Sequence, residues 1–540
     1  MISARETEAD DLYSRHSTYE LLFEPLSEED KDTVIFVDAE QPDRFYTLAT
    51  LRERILKLGG FLQQKYQWQN GDILAICAEN DASIDYPVAL HASVAIGGIS
   101  SAVDQHYPAN DIANDLQLIE PKLVITDAKT YDKVVAAAKM SNVANPVVTF
   151  EELDRLVYSD VDIAMAEPIR YTPEQLVTTP AYIYFTSGTT GKKKGAIMTQ
   201  SYMTAILQYL EECIPGGFRA LSYTEFHHVS QLVCPAHWAI RRKMTYYIMR
   251  TSEAPPDPYR VCEAMQEFKI DTLVCQPYMV NAFAKEPWVD KFDLSAFKYA
   301  ACGGSMPDAS ILRACHQRFG AKIVALYGMT ECLPILLPNW ESTIIGSQGR
   351  KNPMSTLKII DDNGNDVHDT GETGELCVKT SARIPGYWKN PDETKALFDE
   401  EGFLRTGDLF QCRDGEYYFI TRKKELFKYF LHHIYPQDIE GIVLRHPAVT
   451  EACVLGRYSK EQATELPAAF VMLHQDNRAK VDEAEKQERL CQDIQTFVNE
   501  RVPDPHRLRG GVFIVDSFPR TAFGKIKRNK LNEQYFGSEH

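Results

Sequence analysis

Residues 181–199 read AYIYFTSGTTGKKKGAIMT, an apolar run that breaks into hydroxyls, glycines and three consecutive lysines. Glycines let a chain turn so that successive backbone N–H groups converge, and such a nest binds anions. The hydroxyls of Thr186, Ser187, Thr189 and Thr190 and the lysines that follow add donors for phosphate oxygens. The spacing excludes two familiar phosphate loops. Counted from Gly188, the sixth position is Lys193, where G-x-x-x-x-G-K-[ST] needs glycine, and no G-x-G-x-x-G is present in the stretch. A plain polar turn and a phosphate cradle both remain open on this stretch alone.

Further chemistry-bearing residues follow in order. FHHVSQL at 226–232 places His227 beside apolar residues. YAACGGSMP supplies Gly303, Gly304 and Ser305. LYGMTE holds Tyr327, Gly328, Thr330 and Glu331. FLRTGDL carries Asp408, and YYFITRKKELFKY carries Arg422, Lys424, Lys428 and Tyr429. FPRTAFGKIKRNKL carries Lys525.

The string YFTSGTTGKKKG resembles the phosphate-binding signature of the adenylate-forming superfamily, [YF]-T-S-G-[ST]-T-G-x-P-K-G. Lys194 stands at the family lysine and Lys193 where relatives have proline. The other segments resemble further family motifs, also in order, over about residues 45–535. TRKKELFKY is most similar to the 4-coumarate-CoA ligase, acyl-CoA synthetase and luciferase branch.

The resemblance implies a two-step ligase. A carboxylic acid attacks the α-phosphate of ATP to give an acyl-adenylate and pyrophosphate, and the acyl group then passes to coenzyme A. By resemblance, Thr186, Ser187, Gly188, Thr189, Thr190, Gly191 and Lys194 hold the departing phosphates. Gly303, Gly304, Ser305, Tyr327 and Gly328 form the adenine site, with Tyr327 stacking on the base, while Asp408 and Arg422 take the ribose. Thr330 sits near the phosphates and Glu331 holds Mg²⁺, a hard cation suited to carboxylate and phosphate oxygens. Lys525 is the catalytic lysine, Lys424 the domain hinge, and His227, Lys428 and Tyr429 face acid or coenzyme A. A stand-alone adenylating enzyme with an amine, carrier-protein thiol or oxygen as acceptor, and a catalytically silent binding protein, are the alternatives.

Three departures from the family pattern stand out. Lys193 returns a donor and removes a rigid φ, so the loop is expected to be more mobile. KYFLHH at 428–433 puts Phe430 and Leu431 where relatives have lysine and glycine, adding bulk and restricting φ where the pantetheine arm would pass. VDQHY at 103–107 replaces an Asn-Pro, with no function assigned to it.

The elements that must position these residues are also legible. Short apolar runs at 72–77, 122–126, 181–186, 271–275 and 322–326 alternate with helix-like stretches, the pattern of α/β layers with parallel sheet. After about residue 340, short strands separated by Asn-Gly and Thr-Gly turns indicate a small β-barrel-like module. From about 425 the texture is mixed α+β, with an amphipathic helix at 483–501 whose face carries Leu490, Ile494 and Phe497. The expectation is an α/β fold with a large N-terminal AMP-binding domain at 1–421, built of layered α/β subdomains. A smaller mobile C-terminal lid at 422–540 carries the catalytic lysine.

With 540 residues, 44% hydrophobic and 25% charged, the chain is of ordinary globular composition. A net charge of −18 argues against nucleic-acid binding, while basic islands such as GKKKG and GKIKRNK suit a small anionic substrate. The run at 86–103 falls short of the roughly 20 residues of a membrane span and reads as a buried helix entering a buried strand. Twelve scattered cysteines without C-x-x-C read as reduced core thiols. No signal peptide, peroxisomal tripeptide or carrier domain is read at either end. The expectation is a cytoplasmic monomer or homodimer.

Overall fold

A computed structural model describes residues 15–79, 83–141, 146–159, 162–187, 193–213, 219–250, 256–304, 309–338, 346–368, 370–474, 484–521 and 524–537. Two largely parallel sheets and one antiparallel sheet build the N-terminal part.

The first parallel sheet runs Val147–Thr149, Leu123–Thr126, Ile73–Ile76, Ile99–Ala102, Pro180–Ser187, with Lys193–Thr199 antiparallel at its edge. Strands Ile73–Ile76, Ile99–Ala102 and Leu123–Thr126 are buried at every position. That is why they read as unbroken apolar runs, since helices cover both faces of such a sheet. The run at 86–103 is helix Asp85–Ala95 followed by strand Ile99–Ala102, as expected. At the edge, Thr186 pairs with Lys194 and Ser187 with Lys193, so the phosphate-loop sequence closes a hairpin.

The second sheet runs Lys322–Ala325, Tyr299–Cys302, Thr272–Cys275, Arg219–Ser222, Thr245–Ile248, Val34–Asp38, with Gln41–Thr47 antiparallel at the edge. Tyr299–Cys302 and Lys322–Ala325 are parallel neighbours, so Gly303–Gly304 and Tyr327–Gly328 emerge at the same end of the sheet. Ligand crevices of open α/β sheets form at such carboxyl ends.

The third sheet is antiparallel, in the order Leu336–Leu337, Arg350–Lys351, Glu416–Arg422, Leu404–Arg413, Gly374–Lys379, Thr356–Ile360. It sets Asp408 directly opposite Arg422.

The C-terminal part has its own core of Val443, Val454, Val471, Ile494 and Leu508. Around it lie the hairpin Phe427–Tyr429 with His432–Ile434, a three-stranded sheet, and helices Pro436–Val443 and Ala484–Asn499. Ile494 is fully buried, and Leu490 and Phe497 pack beside it, on the face expected from the sequence. Lys285 of the large part reaches across, donating to the carbonyls of Leu444 at 3.2 Å and Val449 at 3.0 Å. Among the described residues the cysteines are free and all but Cys491 are buried. No described helix is long and apolar enough to cross a membrane.

Candidate active site

A cavity of about 200 Å³ lies between the sheet ends of the large part and the C-terminal domain. Gly303, Gly304, Tyr327, Asp408, Arg422 and Lys525 line it together. Gly304 has φ 86°, a left-handed conformation that costs a side-chain-bearing residue. A Cβ on Gly328 would stand 2.4 Å from Leu333 Cδ1, so any other residue at the turn into GMTE requires that leucine to swing aside. The Tyr327 hydroxyl donates to Asp408 Oδ2 at 2.8 Å, and its ring meets Phe410 edge-on at 4.6 Å. Arg422 Nε lies 3.3 Å from Asp408 Oδ1. Burial raises the Asp408 pKa, with Arg422 and the Tyr327 hydroxyl pulling it back. The site thus presents a fixed, acceptor-rich carboxylate beside a nearly buried aromatic ring.

Lys525 arrives from the other domain on a tight turn. Thr521 N–H donates to the Lys525 carbonyl at 2.8 Å, and Lys525 N–H donates to Thr521 Oγ1 at 3.1 Å. Arg520 donates to the Gly524 carbonyl at 2.8 Å and pairs with Glu451. Arg528 lies 2.8 Å from Glu440 and 3.4 Å from Glu425, so the arm is tied on both sides of Lys525. Burial first, then the Arg422 charge, brings the Lys525 ammonium down to about 7, against the opposing pull of Glu425 and Asp408.

Glu331 is buried, and Tyr387 donates to its Oε1 at 2.6 Å. Lys194 lies over the Tyr387 ring at 5.1 Å and pairs with Glu393. One tyrosine therefore couples the lysine of the phosphate-loop strand to the candidate metal carboxylate. No group of three or more His, Cys, Asp or Glu side chains among the described residues could hold a metal ion. A single hard carboxylate fits Mg²⁺, which completes its shell with phosphate oxygens and water.

A second polar cluster surrounds His227. Its Nδ1 lies 3.1 Å from Glu225 and its Nε2 3.6 Å from Asp104. Glu225 also accepts from His106 Nε2 at 2.7 Å and from Gln105 Nε2 at 2.7 Å. Burial pushes the Glu225 carboxyl up, but the two histidines outweigh it and hold it at about 2. Burial pushes His227 down, and Asp104 and Glu225 carry it above the ordinary value.

The AMP-binding enzyme model matches residues 23–388, and the AMP-binding enzyme C-terminal domain model matches residues 438–525. The chain belongs to the AMP-binding enzyme family. It is 28% identical over 516 residues to the luciferin 4-monooxygenase of Photuris pensylvanica, covering 90% of each chain. It is 28% identical over 524 residues to a phenylacetyl-CoA ligase of Aspergillus niger, covering 93% of each. Its fold superposes on the amide bond synthetase of Marinactinospora thermotolerans with TM-score 0.78 at 21% identity, covering 96% of this chain and 99% of that one.

Within this AMP-binding family member, one cavity gathers Gly303, Gly304, Tyr327, Gly328, Asp408, Arg422 and Lys525. Lys424 is exposed near Arg422 and Glu425, with its pKa lowered first by desolvation and then by Arg422. The Thr330 carbonyl accepts from the Tyr202 hydroxyl at 3.0 Å. Residues 188–191 and Ser305, and the Ser187 side chain, lie outside the described residues. Lys428 and Tyr429 are not brought to the cavity. They sit on a C-terminal hairpin, where Lys428 is exposed and the Tyr429 ring receives Arg509 at 4.8 Å.

Lys193, the position at which a more mobile loop was expected, opens strand Lys193–Thr199, pairs with buried Asp115 at 2.6 Å and lies 3.6 Å over the Tyr107 ring, while 188–192 lie outside the described residues. One sequence expectation is corrected. The restricted φ in KYFLHH falls on Phe430, at 50°, and not on Leu431, whose difference is bulk alone. VDQHY, to which the sequence assigned no function, makes contacts through all four of Asp104, Gln105, His106 and Tyr107. Sequence reasoning also missed Tyr387 and Glu225. Tyr387 lies in PGYWKNPDET, and Glu225 directly precedes FHH, where an acid beside a histidine was the available signal.

Proposed function

We propose that this adenylate-forming enzyme activates a carboxylic acid with ATP and passes the acyl group to coenzyme A. The observation that carries the reading is Lys525, delivered from the C-terminal domain into the cavity that holds Tyr327, Asp408 and Arg422.

A carboxylate needs no general base at neutral pH, so the task is to hold two anions together and stabilise phosphoryl charge. The carboxylate oxygen attacks the α-phosphorus, the bond to the bridging oxygen breaks, and pyrophosphate leaves with that electron pair. Asp408 accepts from the ribose hydroxyls with Arg422 beside it, and Tyr327 flanks the base. Lys525 lies between the acid carboxylate and the α-phosphate, where a charge in a low-dielectric site is worth most. The 186–191 loop and Lys194 hold the leaving pyrophosphate. Glu331, fixed by Tyr387, would hold Mg²⁺, which neutralises phosphate charge when bound. In the second step the thiol sulfur attacks the acyl carbon, the bond to AMP breaks, and the thiol proton goes to solvent. The reading takes the enzyme as cytoplasmic, a monomer or homodimer, without a nucleic-acid partner.

An amine acceptor is the second reading, favoured by the exposed Phe430–Leu431 hairpin tip in place of the family's lysine and glycine. The test is incubation with ATP, Mg²⁺ and a panel of aryl and medium-chain acids, followed by mass detection of acyl-adenylate. Coenzyme A or amines are then added. An adenylate that becomes a thioester only with coenzyme A supports the first reading. An adenylate that yields amide and no thioester supports the second.

A further inference from the structure

Two unabsorbed sequence features, VDQHY and the second lysine of GKIKRNK, meet in the fold. Lys527 Nζ lies 5.6 Å from the centroid of the Tyr107 ring. We propose that Tyr107, with Asp104 beside it, is a positioning residue that receives Lys527 and thereby holds Lys525 in the cavity. The proposal rests on the adenylation reading for what Lys525 does there, though not for where the arm docks.

The geometry is that of a platform. Tyr107 is half-buried against the apolar layer beneath the first sheet, so its ring is fixed. Lys193 lies 3.6 Å over the ring, but Asp115 at 2.6 Å neutralises that charge. Asp104, Asp115 and Asp111 all act on Tyr107 from nearby, which leaves the platform net acidic against the one paired lysine. Around Lys527, Asp104 attracts while Lys530 and Lys193 repel. A cation within about 6 Å of an aromatic face is attracted to it, and the Asp104 charge adds to that pull.

The link from Lys527 to Lys525 is short and stiff. Lys527 N–H donates to the Pro519 carbonyl at 2.7 Å, and Arg520 bridges to Ile526. These bonds close the same turn that presents Lys525, so fixing Lys527 fixes the direction of Lys525. Tyr107 belongs to the large domain and Lys527 to the C-terminal one, so the contact exists only while the two are closed on each other. The two lysines of GKIK then have separate tasks: Lys525 faces the reacting atoms, and Lys527 docks the arm.

The experiment compares Tyr107→Leu, Tyr107→Phe, Lys527→Ala, Lys527→Arg and the Leu/Ala double variant in the full chain. The first readout needs no activity: a brief acetic anhydride pulse, with Lys525 acetylation followed by peptide mass spectrometry. The second is the kcat of acid-dependent ATP–pyrophosphate exchange, and the third is acyl transfer from supplied acyl-adenylate. Tyr107→Leu and Lys527→Ala should each raise Lys525 labelling and lower exchange kcat by about fivefold. The KM for ATP and the transfer step should not change. The double variant should be no worse than either single, and Tyr107→Phe and Lys527→Arg should stay near wild type. Unchanged labelling in Tyr107→Leu, additive effects in the double variant, or equal losses in exchange and transfer would overturn the proposal. A wild type that exchanges with no acid would refute the adenylation reading instead, and the labelling still decides whether Tyr107 docks the arm.

Discussion

Lys525 enters its cavity with its charge weakened, since burial and Arg422 bring the ammonium down to about 7 while Glu425 and Asp408 oppose them. A lysine with a lowered pKa is cationic only below that value, and bridging two anions requires the cation. The kcat/KM of adenylation, which reports the free enzyme, should therefore fall as pH rises through about 7. Bound ATP and carboxylate favour the charged form, so the fall in kcat lies at higher pH. Lys525→Arg should lower kcat and remove the alkaline limb, as read from exchange rates across pH 6 to 9. An unmoved limb would assign it to another group. Lys193 makes a separate prediction about stability. Burial raises the Asp115 carboxyl to about 6 even with Lys193 beside it. Lys193→Met leaves that buried charge unpaired, and should cost about 2–4 kcal/mol at pH 8 in denaturant unfolding. At pH 5.5, where Asp115 is largely protonated, the loss should be clearly smaller. Equal losses at both pH values would mean that the ion pair is not what Lys193 contributes.

The hairpin Phe427–Tyr429/His432–Ile434 carries Phe430 and Leu431 at its tip, the departure noted in the sequence. Its tip leaves Phe430 53% and Leu431 95% exposed, and Phe430 carries a left-handed φ of 50°. Phe430 packs edge-on against Tyr429 at 4.8 Å, but Leu431 is left almost fully exposed, so its bulk bears on whatever passes the tip. If coenzyme A passes there, Leu431→Gly should raise thioester formation several-fold and leave exchange unchanged. Stopped-flow transfer beside exchange on the same preparation checks this, and a matching drop in both would make the tip structural only. At this scale the sequence was readable where burial is two-sided. Ile73–Ile76 and Leu123–Thr126 are apolar without interruption because helices cover both faces, and they were located within a residue. The hairpin's local conformation was not readable, because which of Phe430 and Leu431 takes the positive φ depends on Thr464, which binds the Phe430 N–H from another strand.

Across the whole molecule, the fold gathers the motifs read for adenine, ribose and the catalytic lysine, while Lys428 and Tyr429 stay apart. Gly303, Tyr327, Asp408, Arg422 and Lys525 span more than 200 positions of sequence and line one cavity. Their partners were not legible. Tyr387 reaches Glu331 over a separation of 56 residues and Gln105 reaches Glu225 over 120, distances at which spacing carries no periodic signal. Lys193, on a strand, read as an anomaly for the same reason, its partner Asp115 lying on helix Ala109–Ile119. On the proposed function, the two domains together make an acyl-adenylate. The most direct test is acid-dependent exchange of labelled pyrophosphate into ATP, with wild type and Lys525→Ala run side by side. The account predicts exchange with at least one acid of the panel, and a loss of about 100-fold or more in Lys525→Ala with ATP binding retained. Exchange by Lys525→Ala at the wild-type rate, or none by folded wild type with any acid, would contradict it.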